Sequence, residues 1–157
     1  MSGEADNLLV FRTGPIRFGL HVSSIQRVVP ACEVDPLPGA PASVTGIVTM
    51  DGAVVAVVDP IIPFYPEQPT RLGMASRFLL VNTDSRKLAL IADAVDGVER
   101  WETASAAGHE NLPASIEQLK GVAAAADGLI YIADPNRLLS KADELQLRSA
   151  FAGLSRA

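Results

Sequence analysis

A single cysteine, Cys32, is the chain's whole supply of thiol. That excludes an internal disulfide and a cysteine-built metal cluster, and it fits a reducing compartment. Aromatic residues are scarce at 5%, and charged residues make up only 20% of the 157 positions. Lysine occurs three times among the 13 basic residues, and no basic run forms. Phosphate-backbone binding requires a basic stripe, so DNA, RNA and anionic membrane are not expected partners. The net charge of −5 argues the same way. No apolar run nears the ~20 residues of a membrane-spanning helix. The polar, acidic start, Met1 to Asn7, does not read as a secretory leader. These absences predict a cytoplasmic protein with no direct membrane insertion.

Chemistry-bearing motifs are missing too. Neither GxGxxG nor GxxxxGK[ST] occurs, so the nucleotide-binding fingerprints are absent, and "GPIRFG" reads as a hairpin. His21 and His109 are the only histidines, and neither has a second ligand at metal-binding spacing. Cys32 has no evident base beside it, and no Gly-x-Ser-x-Gly elbow exists. No catalytic residue, metal or cofactor is expected, and the chain is not read as an enzyme.

What the sequence has is an aliphatic core and a repeat. It is 48% hydrophobic, enough for a globular chain. Shifted by 70 residues, Phe18-Gly19-Leu20-His21-Val22 falls on Leu88-Ala89-Leu90-Ile91-Ala92, and "LLVFRTG" falls on "FLLVNTD". Each copy reads as strand, turn and strand, with Gly14-Pro15 or Asp84-Ser85 at the turn. Ser23 and Asp93 then read as N-caps of a short helical turn leading into a further strand.

A phrase near the end of each copy also recurs: "DGAVVAVVDP" from Asp51 and "DGLIYIADP" from Asp127. Asp-Gly signals a tight hairpin, because both central residues of the favoured turn need positive φ. "AVVAVV" and "LIYIA" are too continuously apolar for a sheet with one wet face. Asp59-Pro60 and Asp134-Pro135 match an N-cap followed by proline at the first helical position. The recurring aspartates are therefore read as turn and cap residues. A catalytic carboxylate pair is disfavoured, because a strand of roughly 20 Å separates the two acids of each copy.

Between the copies, prolines fall at 60, 63, 66 and 69. That spacing predicts an extended polyproline II connection, with a ligand for SH3 or WW domains as the alternative. The stretches "PACEVDPLPGAPAS" and "ETASAAGHENLPASIEQ" are irregular, one in each copy. From Ser140 the chain turns helical over 140–155. Ser140 and Asp143 form a capping signal, and Leu147, Ala150, Phe151 and Leu154 share one face. Packing on the core is the preferred reading of that face, and partner binding the alternative. Trp101 is read as a core-edge residue, with an interface anchor as the alternative.

The ordered set of motifs resembles the CheW-type chemotaxis coupling proteins. "PLPGAPASVTGIVTMDGAVVAVVDP" is similar to the family's signature segment, and four further stretches match in family order: "IRFGLHVSSIQRVV", "LALIADAVDGVERW", "LKGVAAAADGLIYIADPNRLL" and "SKADELQL". The resemblance covers residues 7–150. It implies a mainly β CheW-like domain made of two SH3-like five-stranded β-barrels, near 14–60 and 77–135, with strand exchange between them left open. A C-terminal helix completes the domain.

It also implies a non-catalytic adaptor whose partners are the regulatory domain of a CheA-type histidine kinase and the cytoplasmic tips of chemoreceptors. Carried over by position, Ile25 and Phe78 match apolar residues associated with receptor contact. Gly46 matches a glycine associated with coupling, for which close backbone approach at a strand start is an equal reading. A β-barrel peptide- or ligand-binding module unrelated to kinase coupling is the alternative.

The departures concentrate in one place. The family's Asn-Leu-Arg-Gly is here Thr49-Met50-Asp51-Gly52, an anion where the family keeps a cation. Its Val-Pro-Val-Val-Asp-Leu-Arg has become Val55-Ala56-Val57-Val58-Asp59-Pro60-Ile61. Asp51 is therefore taken as a partner-binding position that disfavours the family's ordinary receptors. The expected setting is a divergent or non-flagellar array, such as a type IV pilus system.

Overall fold

A computed structural model describes residues 7–100, 119–125 and 128–154. In the first half, β1 (Asn7–Thr13) and β2 (Ile16–His21) form a hairpin, and a 3₁₀ turn (Val22–Ser24) leads into β3 (Ile25–Pro30). A second hairpin comes next, β4 (Val44–Met50) and β5 (Ala53–Val58). The second half supplies β6 (Arg77–Asn82), β7 (Lys87–Ala92), β8 (Ala94–Arg100), β9 (Leu119–Ala125) and β10 (Gly128–Ala133). A 3₁₀ turn (Pro135–Arg137) and the helix α1 (Lys141–Leu154) complete the chain. Trp101, His109, Asp127 and the stretch 102–118 lie outside the described residues.

The architecture is mainly β, with two five-stranded sheets and a C-terminal helix. One sheet has the order β8-β1-β2-β10-β9 and the other β3-β6-β7-β5-β4. Each thus takes a hairpin from one half and three strands from the other, so the spans 14–60 and 77–135 do not each enclose a sheet. The joints are the parallel pairs β2–β10 and β5–β7, one in each sheet.

The register shows that both halves are one design. Leu8 pairs with His21 as Phe78 pairs with Ile91, an offset of 70. Gly46 pairs with Val57 as Gly121 pairs with Ile132, an offset of 75. Even the irregularities repeat. The shift between Ile25 and Arg27 on β3 recurs between Val95 and Gly97 on β8.

Alternation along the inner strands sends side chains to two buried faces. On β6, Phe78 and Leu80 join Val55, Val57, Ala89 and Ile91 in one cluster. Leu79 and Val81 point the other way, into a shared centre with Phe11, Phe18, Leu20, Leu88 and Leu90. Neither face meets water, which is why these strands lack a polar alternate. Each such side chain contributes about 1.5–3 kcal/mol by transfer from water.

Short-range signals set the joints. Asp51 and Gly52 have φ of 53° and 80°, the doubly left-handed hairpin turn that Asp-Gly favours. Buried Asp59 accepts hydrogen bonds from the Ile61 N–H (3.3 Å), the Thr70 N–H (2.8 Å) and the Thr70 hydroxyl (2.9 Å). Asp134 accepts from the Asn136 N–H at 3.1 Å, with Pro135 at the first turn position. At α1, the Asp143 N–H donates to Ser140 Oγ (3.0 Å) and the Ser140 N–H to Asp143 Oδ2 (3.3 Å), a reciprocal capping box.

Four local expectations are corrected. Ser23 lies inside its 3₁₀ turn, whose cap position is His21 with no side-chain bond. Asp93 caps no helical turn, because β7 runs through a bend directly into β8. Its carboxylate instead accepts the Gly14 N–H at 2.7 Å, and its own N–H donates to the Arg12 carbonyl at 2.7 Å. The proline-rich connection is not extended. It folds into successive turns, with the Phe64 and Tyr65 N–H groups donating to the Ile61 carbonyl at 2.9 and 2.8 Å. On α1, Leu147 and Ala150 are buried and Phe151 is half-buried, but Leu154 is exposed.

Because each sheet needs strands from both halves, neither half should fold alone. Split at exposed Gly73, fragments 1–72 and 73–157 should each give collapsed amide spectra. Mixing them should restore the dispersed spectrum of the intact chain, and a fragment folded by itself would contradict the exchanged topology.

Candidate functional site

The four residues singled out by sequence all belong to the sheet β3-β6-β7-β5-β4. Ile25 opens β3, Gly46 lies on β4, Asp51 sits in the β4–β5 turn and Phe78 lies on β6. β3 and β4 are the two edges of that sheet. Three of the four positions therefore border one opening, where an unpaired edge must be covered, charged or closed.

The chain closes this opening itself. From β3 it passes through 31–43, where Asp35 and Ile47 exchange backbone hydrogen bonds of 2.9 and 2.8 Å. Gly46 makes that approach possible. A Cβ there would run into the Asp35 carbonyl and lie 2.7 Å from Val34 Cγ1. Its backbone needs no unusual φ, so the glycine is required here for close approach and not for a turn. From outside, the Gln146 side-chain amide donates to the Gly39 carbonyl at 3.0 Å, tying α1 to the same segment.

An ion pair spans the opening further along. Arg27 on β3 donates through Nη2 to Asp51 Oδ2 at 2.8 Å, with side chains 48% and 70% exposed. At that exposure a pair contributes about 0.2–1 kcal/mol. Its main effect is on the surface presented, because the guanidinium and the carboxylate occupy each other. Sequence reading picked out Asp51 but not Arg27. The pair joins residues 24 positions apart, and only the sheet order brings them together.

The apolar positions differ in access. Ile25 is half-buried and packs against the central cluster. Phe78 is 0% exposed and lies in the sheet's inner cluster with Val48 and Val57. It supports the β3 edge from within, opposite Val29, and offers no surface to a partner in this arrangement.

Comparison with known proteins agrees on one family. The family model described as the CheW-like domain matches residues 7–143. Protein FrzA of Myxococcus xanthus is 30% identical over 90 residues, covering 57% of this chain and 56% of that protein. The chemotaxis protein CheW of Rhizobium meliloti (strain 1021) is 28% identical over 98 residues, covering 58% of each. The chain thus aligns with little more than half the length of these relatives. Among solved structures, the scaffolding protein TtCheW from Thermoanaerobacter tengcongensis superposes with a TM-score of 0.78 at 22% identity. It matches over 88% of this chain and 90% of its own.

Replacing Gly46 by Ala should destabilise the protein by about 1–3 kcal/mol through overpacking, read from the urea midpoint. Adding Val34→Ala should not restore it, because the backbone carbonyl of Asp35 remains in the way. Full restoration would mean that the Val34 side chain is the sole obstacle.

Proposed function

The chain belongs to the CheW-like domain family, and from that premise we propose that it is a non-catalytic adaptor of a bacterial chemosensory system. In this reading it works in the cytoplasm and joins chemoreceptor tips to the regulatory domain of a CheA-type histidine kinase. The observation that carries the specific form of the proposal is the Arg27–Asp51 pair across the β3/β4 opening. Where the resembling family keeps an arginine, this chain has an aspartate paired with Arg27. A partner groove lined with carboxylates must then approach an anion at that position. The proposal is therefore a divergent or non-flagellar array, with a type IV pilus system as the example, rather than ordinary receptors.

Ile25, Gly46, Asp51 and Phe78 take distinct roles here. Ile25 is the apolar contact, Asp51 sets partner choice, Gly46 keeps the opening's shape, and Phe78 holds the β3 edge from inside. A rim of this kind, with a few apolar groups beside polar ones, is what transient protein interfaces use. No helix among the described residues is long and apolar enough to cross a membrane, so the proposal has the chain reach receptors by docking.

Titration against a soluble fragment of an ordinary receptor tip tests this. The wild-type chain should bind weakly, and Asp51→Arg should tighten binding about tenfold, one well-placed charge contact at about 1.4 kcal/mol per decade. The double reversal Arg27→Asp/Asp51→Arg keeps the internal pair and should bind as weakly as wild type. Normal wild-type affinity, unaltered by Asp51→Arg, would sink the reading.

A further inference from the structure

Because the chain is an internal duplication, each place in one half has a comparison in the other. After β5, the segment Pro60–Phe64 folds down on the β1–β2 hairpin. A Cβ on Gly14 would lie 3.3 Å from Ile61 Cγ1, and the Phe64 ring meets Phe18 edge-on at 5.5 Å between centroids. The space left beside Phe18, Pro60 and Phe64 is about 10 Å³. The equivalents in the second half are Leu88, Pro135 and Leu139, with Asn136 in the place of Ile61. There the side chains are smaller or more polar, and a groove of about 400 Å³ stays open between the β6–β7 turn and α1. Asn136 holds that turn by accepting the Asp84 N–H at 2.8 Å, so the shape is kept without being filled.

Helix α1 gives the groove a wall of its own. Lys141, Leu145 and Arg148 line it, at i, i+4 and i+7 on one helix face. Leu145 is 61% exposed, whereas Leu88 and Leu139 on the floor are buried. Neither Lys141 nor Arg148 enters an ion pair among the described residues. Of the two carboxylates at the groove, Glu144 is held by Arg86 at 3.0 Å, and Asp84 stands on the opposite rim. On a chain of net charge −5, this wall is a positive strip bracketing an exposed leucine.

We propose that the groove docks an acidic amphipathic helix of a partner protein. One bulky apolar side chain enters between Leu145 and Leu139, and flanking carboxylates reach Lys141 and Arg148. Those cations stand about 10 Å apart along α1 at 1.5 Å per residue, a spacing met by carboxylates seven residues apart on a partner helix. An apolar anchor in a groove is the usual helix-docking arrangement, and the cations add orientation and association rate. The site shares no residue with Ile25, Gly46, Asp51 or Phe78, so it stands apart from the coupling proposal and goes beyond it.

The test titrates the ¹⁵N-labelled full chain with a synthetic helical peptide carrying a Glu-x-x-Leu-x-x-x-Glu stripe. Amide shifts should centre on 83–86 and 141–148. Leu145→Ser and Arg148→Glu, both exposed, should each weaken binding about tenfold, as loss of a central anchor or charge contact does, with the melting temperature unchanged. Peptides with Lys for Glu, or Ala for Leu, should fail to bind. Absence of shifts at millimolar peptide, or shifts centred elsewhere, would overturn the proposal. So would equal binding of the Lys peptide or of either variant, or the same shifts produced by inorganic phosphate alone.

Discussion

Burial on both faces of the inner strands is the constraint on which the rest of the structure depends. A hairpin such as β6–β7 puts Phe78 and Leu80 on one side and Leu79 and Val81 on the other, all withdrawn from water. A half-chain alone cannot cover both faces, so each hairpin is completed by three strands of the opposite half. The parallel pairs β2–β10 and β5–β7 are the price of that exchange, since parallel neighbours cannot be joined by a tight turn. The chain passes from one sheet to the other at the Val22–Ser24 turn and again at the Asp93 bend.

The two halves keep the same register yet have parted where they meet solvent. Asp59 holds Thr70 and so draws the connection back over its own strand end. Asp134 holds only its own turn, through Asn136 and a 3.5 Å ion pair to Arg137, and the chain leaves into α1. That helix is anchored by Leu147 in the central cluster, by the Arg86–Glu144 pair and by Arg86 lying 5.5 Å over the Phe151 ring. Both of these polar anchors use Arg86 on the β6–β7 turn, and the Gln146 bond to the Gly39 carbonyl ties the helix on its other side. The segment after the second hairpin of each half has diverged, whereas the inner strands β1, β2, β6 and β7 had no free face on which to change.

Features decided within four residues were legible from sequence. The Asp51-Gly52 turn, the Pro135 turn and the Ser140–Asp143 box each depend on a local pattern, and each formed. The third-residue prolines misled because periodicity was weighed without the apolar residues between them. Ile61 becomes buried and Phe64 half-buried against the central cluster, and that gain outweighs the preference of proline for extended chain. Asp93 misled for a related reason: it is a good cap residue, but a backbone N–H from the neighbouring hairpin was nearer. Sheet order, and with it the meeting of Arg27 and Asp51, depends on contacts between distant strands. No spacing rule reports those, although the 70-residue repeat already said that two equivalent units must be reconciled.

The same distinction bears on the site. Ile25, Gly46, Asp51 and Phe78 were chosen by position in a motif, and they do share a sheet, but not a mode of action. Gly46 is crowded by backbone and Phe78 is enclosed, so substitution at either acts first on the shape of the β3/β4 opening. Asp51 is the reverse case. Its pair with Arg27 is worth little to folding at these exposures, so stability gives no strong reason for an acid there. An aspartate suits the left-handed turn better than an arginine, yet asparagine would suit it as well without charge. What the carboxylate adds is a partner for Arg27 at the β3 edge. In the adaptor role proposed above, that consequence would be felt by whatever comes to bind rather than by the fold.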